Sequence, residues 1–423
     1  MKIPRYISAA LTLAGMLAWT PAALVAAPAA ATRPVDIETL RRQALGPDLA
    51  VSEAALRRLQ TLPTTRLVCT IVGQVLRSDR VRMEAALTGL APAGKVAELE
   101  RQLQQVRAAA DANLRALDKG PTLQTAHQHY QQLMALVEQL REPYARRWLL
   151  LELAARRPRL LETWRKLAEA QNSDFAPAPE EALLRRVESA LGAPPGPLYQ
   201  RLAFNGGRPP AEASDVGMWF YGACRAIEAH NQSMQYLTNR AEGEALRHIN
   251  LYREALGRLP MEIDARLVQS ARRHSREMSE LKYFAHRSPT PGMETAGQRM
   301  AAAGYPRSGY IENIAAGTRD PQYLFKLWFD SPSHHKGMVS PDGVAAAVGK
   351  WDLCWTLNMG SGPRLMGAAP EALAAATQPG PLAAQDDRLD ANQPQRKVIR
   401  ETRIYDPFNP DPAKRRRIER EEQ

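Results

Sequence analysis

Residues 343–359 read GVAAAVGKWDLCWTLNM. Two runs of strand character, Gly343 to Trp351 and Leu353 to Met359, flank Asp352, which reads as a tight turn. Before them come helical patterns: Glu244 to Leu256 and Ala265 to Lys282, joined through Gly257 and Pro260, then about Glu294 to Ala303, stopped by Gly304. Gln322 to Phe329 is short and amphipathic, with Leu324, Leu327 and Trp328 apolar. Helices followed by an antiparallel pair predict an α+β unit.

Upstream, from about Asp36 to Arg240, the pattern is helical throughout. In Lys95 to Leu117, Val96, Leu99, Leu103, Val106, Ala110, Leu114 and Leu117 recur at three- and four-residue steps, which lays them on one helix stripe. Gly120-Pro121 ends that helix. A second amphipathic segment starts at Thr122 with Tyr130, Leu133, Val137 and Leu140 on one side, and Pro143 and Pro158 are expected to break the chain beyond Leu140 into shorter helices. Short Gly/Pro joints fold neighbours back on each other, so residues 36–240 are expected to form a helical bundle of unassigned role. No fixed-period repeat marks a solenoid.

The ends differ in kind. Residues 1–31 combine a basic start, Met1 to Arg5, with an uncharged, mostly apolar run from Ile7 to Leu24 and an alanine-rich stretch with small-x-small sites. This is the pattern of a signal peptide, interrupted at Trp19-Thr20-Pro21 where a cleavable signal breaks. It predicts export, to the cell exterior or a periplasm; the alternative is an uncleaved membrane anchor, since the apolar run is long. No cysteine follows the apolar run, so a lipid-modified N-terminus is not expected, and no second run is long enough to span a bilayer. Residues 362–423 lose periodicity, with Ala, Pro, Gln and Asp giving way to mixed charge around Lys414 to Arg417, and are expected to form a disordered tail. The chain of 423 residues has a formal charge of +11, which reads first as diffuse basicity serving solubility and, for an exported protein, next as a match to anionic wall polymers or phospholipid surfaces before nucleic acid. Its three cysteines, Cys69, Cys224 and Cys354, permit at most one internal bridge and exclude a disulfide scaffold.

Chemistry concentrates late. His286 follows Tyr283-Phe284-Ala285, Glu312 lies in Tyr310-Ile311-Glu312-Asn313-Ile314-Ala315, and His334 lies in Ser331-Pro332-Ser333-His334-His335. All three read as loop residues beside apolar anchors, where binding and catalysis concentrate. Two imidazoles and a carboxylate suit a divalent cation such as zinc, with His286 and His334 as ligands, or acid–base work. The steps of 26 and 22 residues match no local metal motif. His127 and His129, two apart, fall on different helix faces and read as solvated; His274 reads as a packed histidine and His335 as an exposed one. No phosphate loop or nucleophile elbow occurs.

The wording of these segments resembles the CAP superfamily, also called the SCP or PR1-like domain. His248-Ile249-Asn250-Leu251-Tyr252-Arg253 is similar to its first-helix element, and Ala271 to Met278 to the bacterial second helix. Phe284-Ala285-His286-Arg287-Ser288, Ala303-Gly304-Tyr305 with Glu312-Asn313-Ile314-Ala315-Ala316-Gly317, and Trp328-Phe329-Asp330-Ser331-Pro332-Ser333-His334 come next, in the family's order. The closing strands complete it. The resemblance covers about residues 242–361 and implies a three-layer α–β–α sandwich with a surface cleft holding His286, Glu312 and His334. Ser331 stands where the fuller eukaryotic pattern has a second Glu, which puts a four-residue cation site in doubt; Asp330 would substitute only if turned inward.

Two functions are expected on this basis. One is a binding module that holds a lipid, a cell-wall glycan or a protein partner in the cleft. The other is a metal-dependent or acid–base hydrolase using His286, Glu312 and His334, for which no nucleophile is evident. A third arrangement makes the helical half the working part.

Overall fold

The computed structural model describes residues 36–62, 65–118, 120–171, 180–202, 213–306, 310–362, 364–366, 376–377, 399–405 and 416–422. The expected signal peptide, residues 1–31, lies outside the described residues. Residues up to 380 form one compact unit, and 381–423 a second.

The first unit opens with α1 (Ile37–Leu45), α2 (Leu49–Gln60), α3 (Thr65–Thr88) and α4 (Ala93–Arg115). Asp36 and Asp48 cap α1 and α2, their carboxylates accepting from otherwise orphaned first-turn N–H groups. On α4, Val96, Leu99, Leu103, Ala110 and Leu114 are buried, as the stripe predicts. Next comes α5 (Pro121–Glu169), a helix of 49 residues and about 73 Å at 1.5 Å per residue. After it come α6 (Glu180–Leu191), α7 (Pro195–Arg201) and α8 (Ala213–Ser233).

Helix α5 corrects one expectation, because it runs on through Pro143 and Pro158. A proline inside a helix costs ~3 kcal/mol by removing one hydrogen bond and crowding the preceding turn. Burial on both sides of each proline outweighs that local cost. Leu133, Leu136 and Leu140 enter one core cluster, Leu150, Leu151, Leu153 and Ala154 a second, and Leu160 a third with α1, α2 and α3.

The later part carries α9 (Arg240–Ala255), β1 (Glu262–Ile263), α10 (Ala265–Glu280), α11 (Ala296–Ala302), β2 (Tyr310–Ala316), α12 (Pro321–Phe329), α13 (Pro332–Met338), β3 (Ala345–Trp351) and β4 (Cys354–Gly360). The sheet order is β1-β3-β4-β2, with β1 parallel to β3 and the other pairs antiparallel. Asp352 makes the β3–β4 turn with φ +47°. Helix α10 lies hard against β3. A Cβ on Gly349 would come within 2.3 Å of the Ala271 carbonyl carbon, and Ser275 Oγ donates to Gly349 O at 2.9 Å. Buried Glu242 closes a capping box with Asn239 at the start of α9, and it also accepts from Arg272 Nη2 (2.6 Å) and Lys350 N (2.9 Å).

The helical half docks on this part through a shared core. Leu103, Leu133 and Leu140 belong to the same cluster as Ile249, Tyr252, Trp328 and Phe329. Tyr130 meets the rings of Tyr252 and Phe329 edge-on at 5.2 and 5.3 Å. Arg107 donates to the carbonyls of Glu254 and Ala255, both at 2.9 Å, satisfying the C-terminal turn of α9. From α8, Asn231 bonds to Met261 O and Ile263 N and so covers the edge strand β1.

In the second unit, β5 (Ile399–Tyr405) pairs antiparallel with β6 (Arg416–Glu422). The register sets Arg400 opposite Glu421 and Glu401 opposite Arg420. Cys69, Cys224 and Cys354 are free thiols, Cys224 buried and the others half-buried.

Candidate functional site

Glu312 is not a loop residue: it sits on β2, opposite Asn358 of β4. His334 likewise lies on α13, whose first residue is Pro332, and only His286 occupies a loop. That loop is tied down from beneath by Glu277 of α10, which accepts from Tyr283 OH (2.7 Å), Ser288 Oγ (2.8 Å) and Thr290 Oγ1. Successive residues of β2 point to opposite sides of the sheet. Glu312 therefore faces the His286 loop, while Asn313 donates to the carbonyl of His334 at 2.8 Å and fixes α13.

Both carboxylate oxygens of Glu312 are engaged. Oε1 meets His286 Nδ1 at 3.0 Å, and Oε2 accepts from Arg299 Nη2 at 2.6 Å. The Glu312 side chain is 4% exposed and that of Arg299 0%, whereas His286 is 56% exposed. Burial pushes the Glu312 pKa up, but the His286 hydrogen bond and the charge of Arg299 outweigh it and hold the group below the usual carboxylate range. An ionised carboxylate only accepts, so His286 carries its proton on Nδ1 and leaves Nε2 as the free ring nitrogen. His334 lies across the gap, its ring centroid 6.4 Å from that of His286. Burial, then the neighbouring His286, lowers its pKa and favours the neutral imidazole.

The three predicted residues thus meet at one edge of the sheet. They do not form a metal cage: among the described residues no group of three or more His, Cys, Asp or Glu is placed to hold an ion. Glu312 also already faces the Arg299 guanidinium, whose charge opposes a cation there. Asp330 does not turn inward; it pairs with His127 Nε2 at 2.8 Å and with Lys326. His127 is accordingly a docking contact, its ring tilted against that of Phe329 with centroids 4.7 Å apart. His335 is buried, bonded through Nε2 to Tyr252 OH and through Nδ1 to Phe329 O, both at 2.9 Å. The expectation of an exposed His335 fails because a seven-residue helix turns it into the core.

His274 is packed, as expected, with Nε2 at 3.1 Å from Ala285 O and 3.9 Å from Glu312 Oε1. Arg299 is the residue of the candidate site that sequence reasoning misses. It also donates to the carbonyls of His286 (3.1 Å), Met293 (3.0 Å) and Glu294 (3.3 Å), so a single buried guanidinium ties the His286 loop to the acid. The signal was its place among Ala296, Met300 and Ala303, buried at helical spacing: an arginine on a core stripe needs an internal partner.

Comparison with known proteins locates the same region. Residues 246–350 match the model of the cysteine-rich secretory protein family, CAP. An uncharacterized protein of Bacillus subtilis (strain 168), YkwD, is 35% identical over 100 residues, 24% of this chain and 38% of that protein. A solved extracellular protein containing a SCP domain, from Bacillus anthracis str. Ames, is 25% identical at a TM-score of 0.29, covering 31% of this chain and 43% of the other. The chain therefore spans less than half the length of these relatives. With its histidine–carboxylate edge carried on these elements, the chain contains a CAP/SCP domain of the bacterial type.

Proposed function

We propose that this is an exported CAP-domain protein that binds a ligand in the His286–Glu312–His334 cleft, and that the ligand is amphipathic and bears hydroxyl groups. In this reading, residues 1–31 direct export, 36–240 form a helical support, and 242–361 form a three-layer α–β–α sandwich. The observation that carries it is the engagement of both Glu312 oxygens, by His286 and Arg299. The acid orients an imidazole and does not itself receive ligand or metal. His286 Nε2 and, 6.4 Å away between ring centroids, the ring of His334 have no hydrogen-bond partner among the described residues, and both are suited to hydrogen bonds with ligand hydroxyls. Phe284 and Leu281, 55% and 57% exposed on the same loop, supply an apolar rim. A lipid has both parts, and a cell-wall glycan or a protein partner is tested beside it. No helix among the described residues is long and apolar enough to cross a membrane. A hydrolase would need a nucleophile or an activated water at the cleft, and the ordering of Glu312 favours neither.

The test is binding of purified full chain to hydroxylated lipids, wall glycan fragments and candidate partner proteins, repeated on His286→Ala, His334→Ala and Phe284→Ser. Lipid capture lost in all three variants supports the reading. Stoichiometric zinc lost in both histidine variants, or lipid binding indifferent to Phe284, would overturn it.

A further inference from the structure

Helix α13 carries His334 in its first turn, so the set of that short helix decides where the ring stands in the cleft. Two of its carbonyls are anchored from within the same part of the fold: His334 O by Asn313 at 2.8 Å and Met338 O by Arg253 Nη1 at 3.1 Å. These two residues are four apart, so the line joining the anchors runs along the helix axis. Rotation about that line is left open, and it would swing the His334 ring. Ser331, which begins the helix, makes no side-chain cap that could stop it.

The restraint on this rotation is His335, bonded to Phe329 O and to Tyr252 OH, with its ring centroid 4.1 Å from that of Phe329. Both partners are covered from the helical half, because Tyr130 of α5 meets the rings of Tyr252 and Phe329 edge-on. Three residues earlier on the same helix face, His127 lies against Phe329 and bonds Asp330 Oδ1 at 2.8 Å. Asp330 closes α12 and, with Ser331, is all that separates α12 from α13. Burial pushes the Asp330 pKa up, but the bonds from His127 and Lys326 outweigh it and hold the group below the usual carboxylate range. An ionised acceptor puts the His127 proton on Nε2. The grip therefore has a directional part at His127 and an apolar part at Tyr130.

We propose that His127 and Tyr130 of α5 are positioning residues for the cleft: by gripping Phe329 and Asp330 they stop α13 from turning, and so set where His334 stands relative to His286. The position of His334 matters to function only if the cleft binds as proposed above, whereas measuring that position needs no ligand, so either can fail alone.

The experiment compares ligand-free full chains labelled with nitrogen-15 in histidine: the parent, His127→Ala, His127→Gln, Tyr130→Leu, Asp330→Asn, and a control of matched stability altered in the α1–α3 cluster, such as Ile71→Val. His127 and Asp330 are 37% and 33% exposed, so their variants provide the test even where Tyr130→Leu does not fold. The His334 ring signals should move in His127→Ala and Asp330→Asn. The His334 titration midpoint should rise toward 6.5, since burial and the neighbouring His286 lower it in the parent. Glutamine, which keeps an N–H donor, should restore the parent signals. The two single variants break one contact from its two sides, so their shifts should not add in the double variant. Unmoved His334 signals in both folded single variants, the same shift in the control, or fully additive shifts would overturn the proposal.

Discussion

Arg299 and Glu312 pair at 2.6 Å with side chains 0% and 4% exposed, so the acid of the candidate site is an ionised group inside the protein, held there by a buried base. Breaking a buried pair from one side strands the other charge and costs ~3–5 kcal/mol. Arg299→Met should be as destabilising as Glu312→Gln or more so, because it also frees three carbonyls, and the double variant should recover part of the loss. Denaturant unfolding of the four proteins measures this; strictly additive losses would contradict the coupling.

The tautomer of His286 offers a sharper check. Ionised Glu312 requires the proton on Nδ1. Nitrogen NMR near neutral pH should find Nδ1 protonated in His286 and should find His334 neutral, its pKa lowered by burial and by His286. In Glu312→Gln the His286 preference should weaken, since an amide oxygen is a poorer acceptor and can rotate away.

Some of this was legible in the sequence and some was not. The α4 stripe and the β3–β4 hairpin depend on local spacing, and Val96 to Leu114 and Asp352 fall where that spacing puts them. Strand β2 pairs with β4 about forty residues on, and its core run Ile311-Glu312-Asn313-Ile314 does not alternate, so nothing local distinguished it from a loop. Pro143 and Pro158 misled because propensity is local whereas the packing that overrides it is not. The candidate residues were picked out by type and order. Their arrangement depended on Arg299, whose role needs the fold.

His335 makes stability depend on pH. Burial, only partly offset by its bond to Phe329 O, lowers its pKa from 6.5 to about 4. The unfolded chain then binds the extra proton first, so stability is full above pH 6.5 and is lost as pH falls toward 4. A shift of that size corresponds to about 3 kcal/mol. Unfolding free energies measured from pH 7.5 to 4 should fall accordingly in the parent and more shallowly in His335→Gln, which keeps hydrogen-bonding capacity without titrating there. Equal slopes would remove His335 as the cause.

The contact between α10 and β3 at Gly349 positions the site from a distance. A Cβ there would overlap the backbone of Ala271 and Arg272, at 2.3 and 2.2 Å, and backbone cannot swing aside as a side-chain tip can. Gly349→Ala must push α10 off the sheet, and overpacking of this kind costs ~1–3 kcal/mol. The same helix carries Glu277, which anchors the His286 loop through Tyr283 and Ser288, and His274, which packs beneath Ala285. Moving α10 should therefore loosen the His286–Glu312 hydrogen bond as well as lower stability. Exchange broadening of the His286 ring signals in Gly349→Ala, absent from an equally destabilised variant in the α1–α3 cluster such as Ile71→Val, would locate the effect in this contact. Identical broadening in both would make it a general consequence of reduced stability.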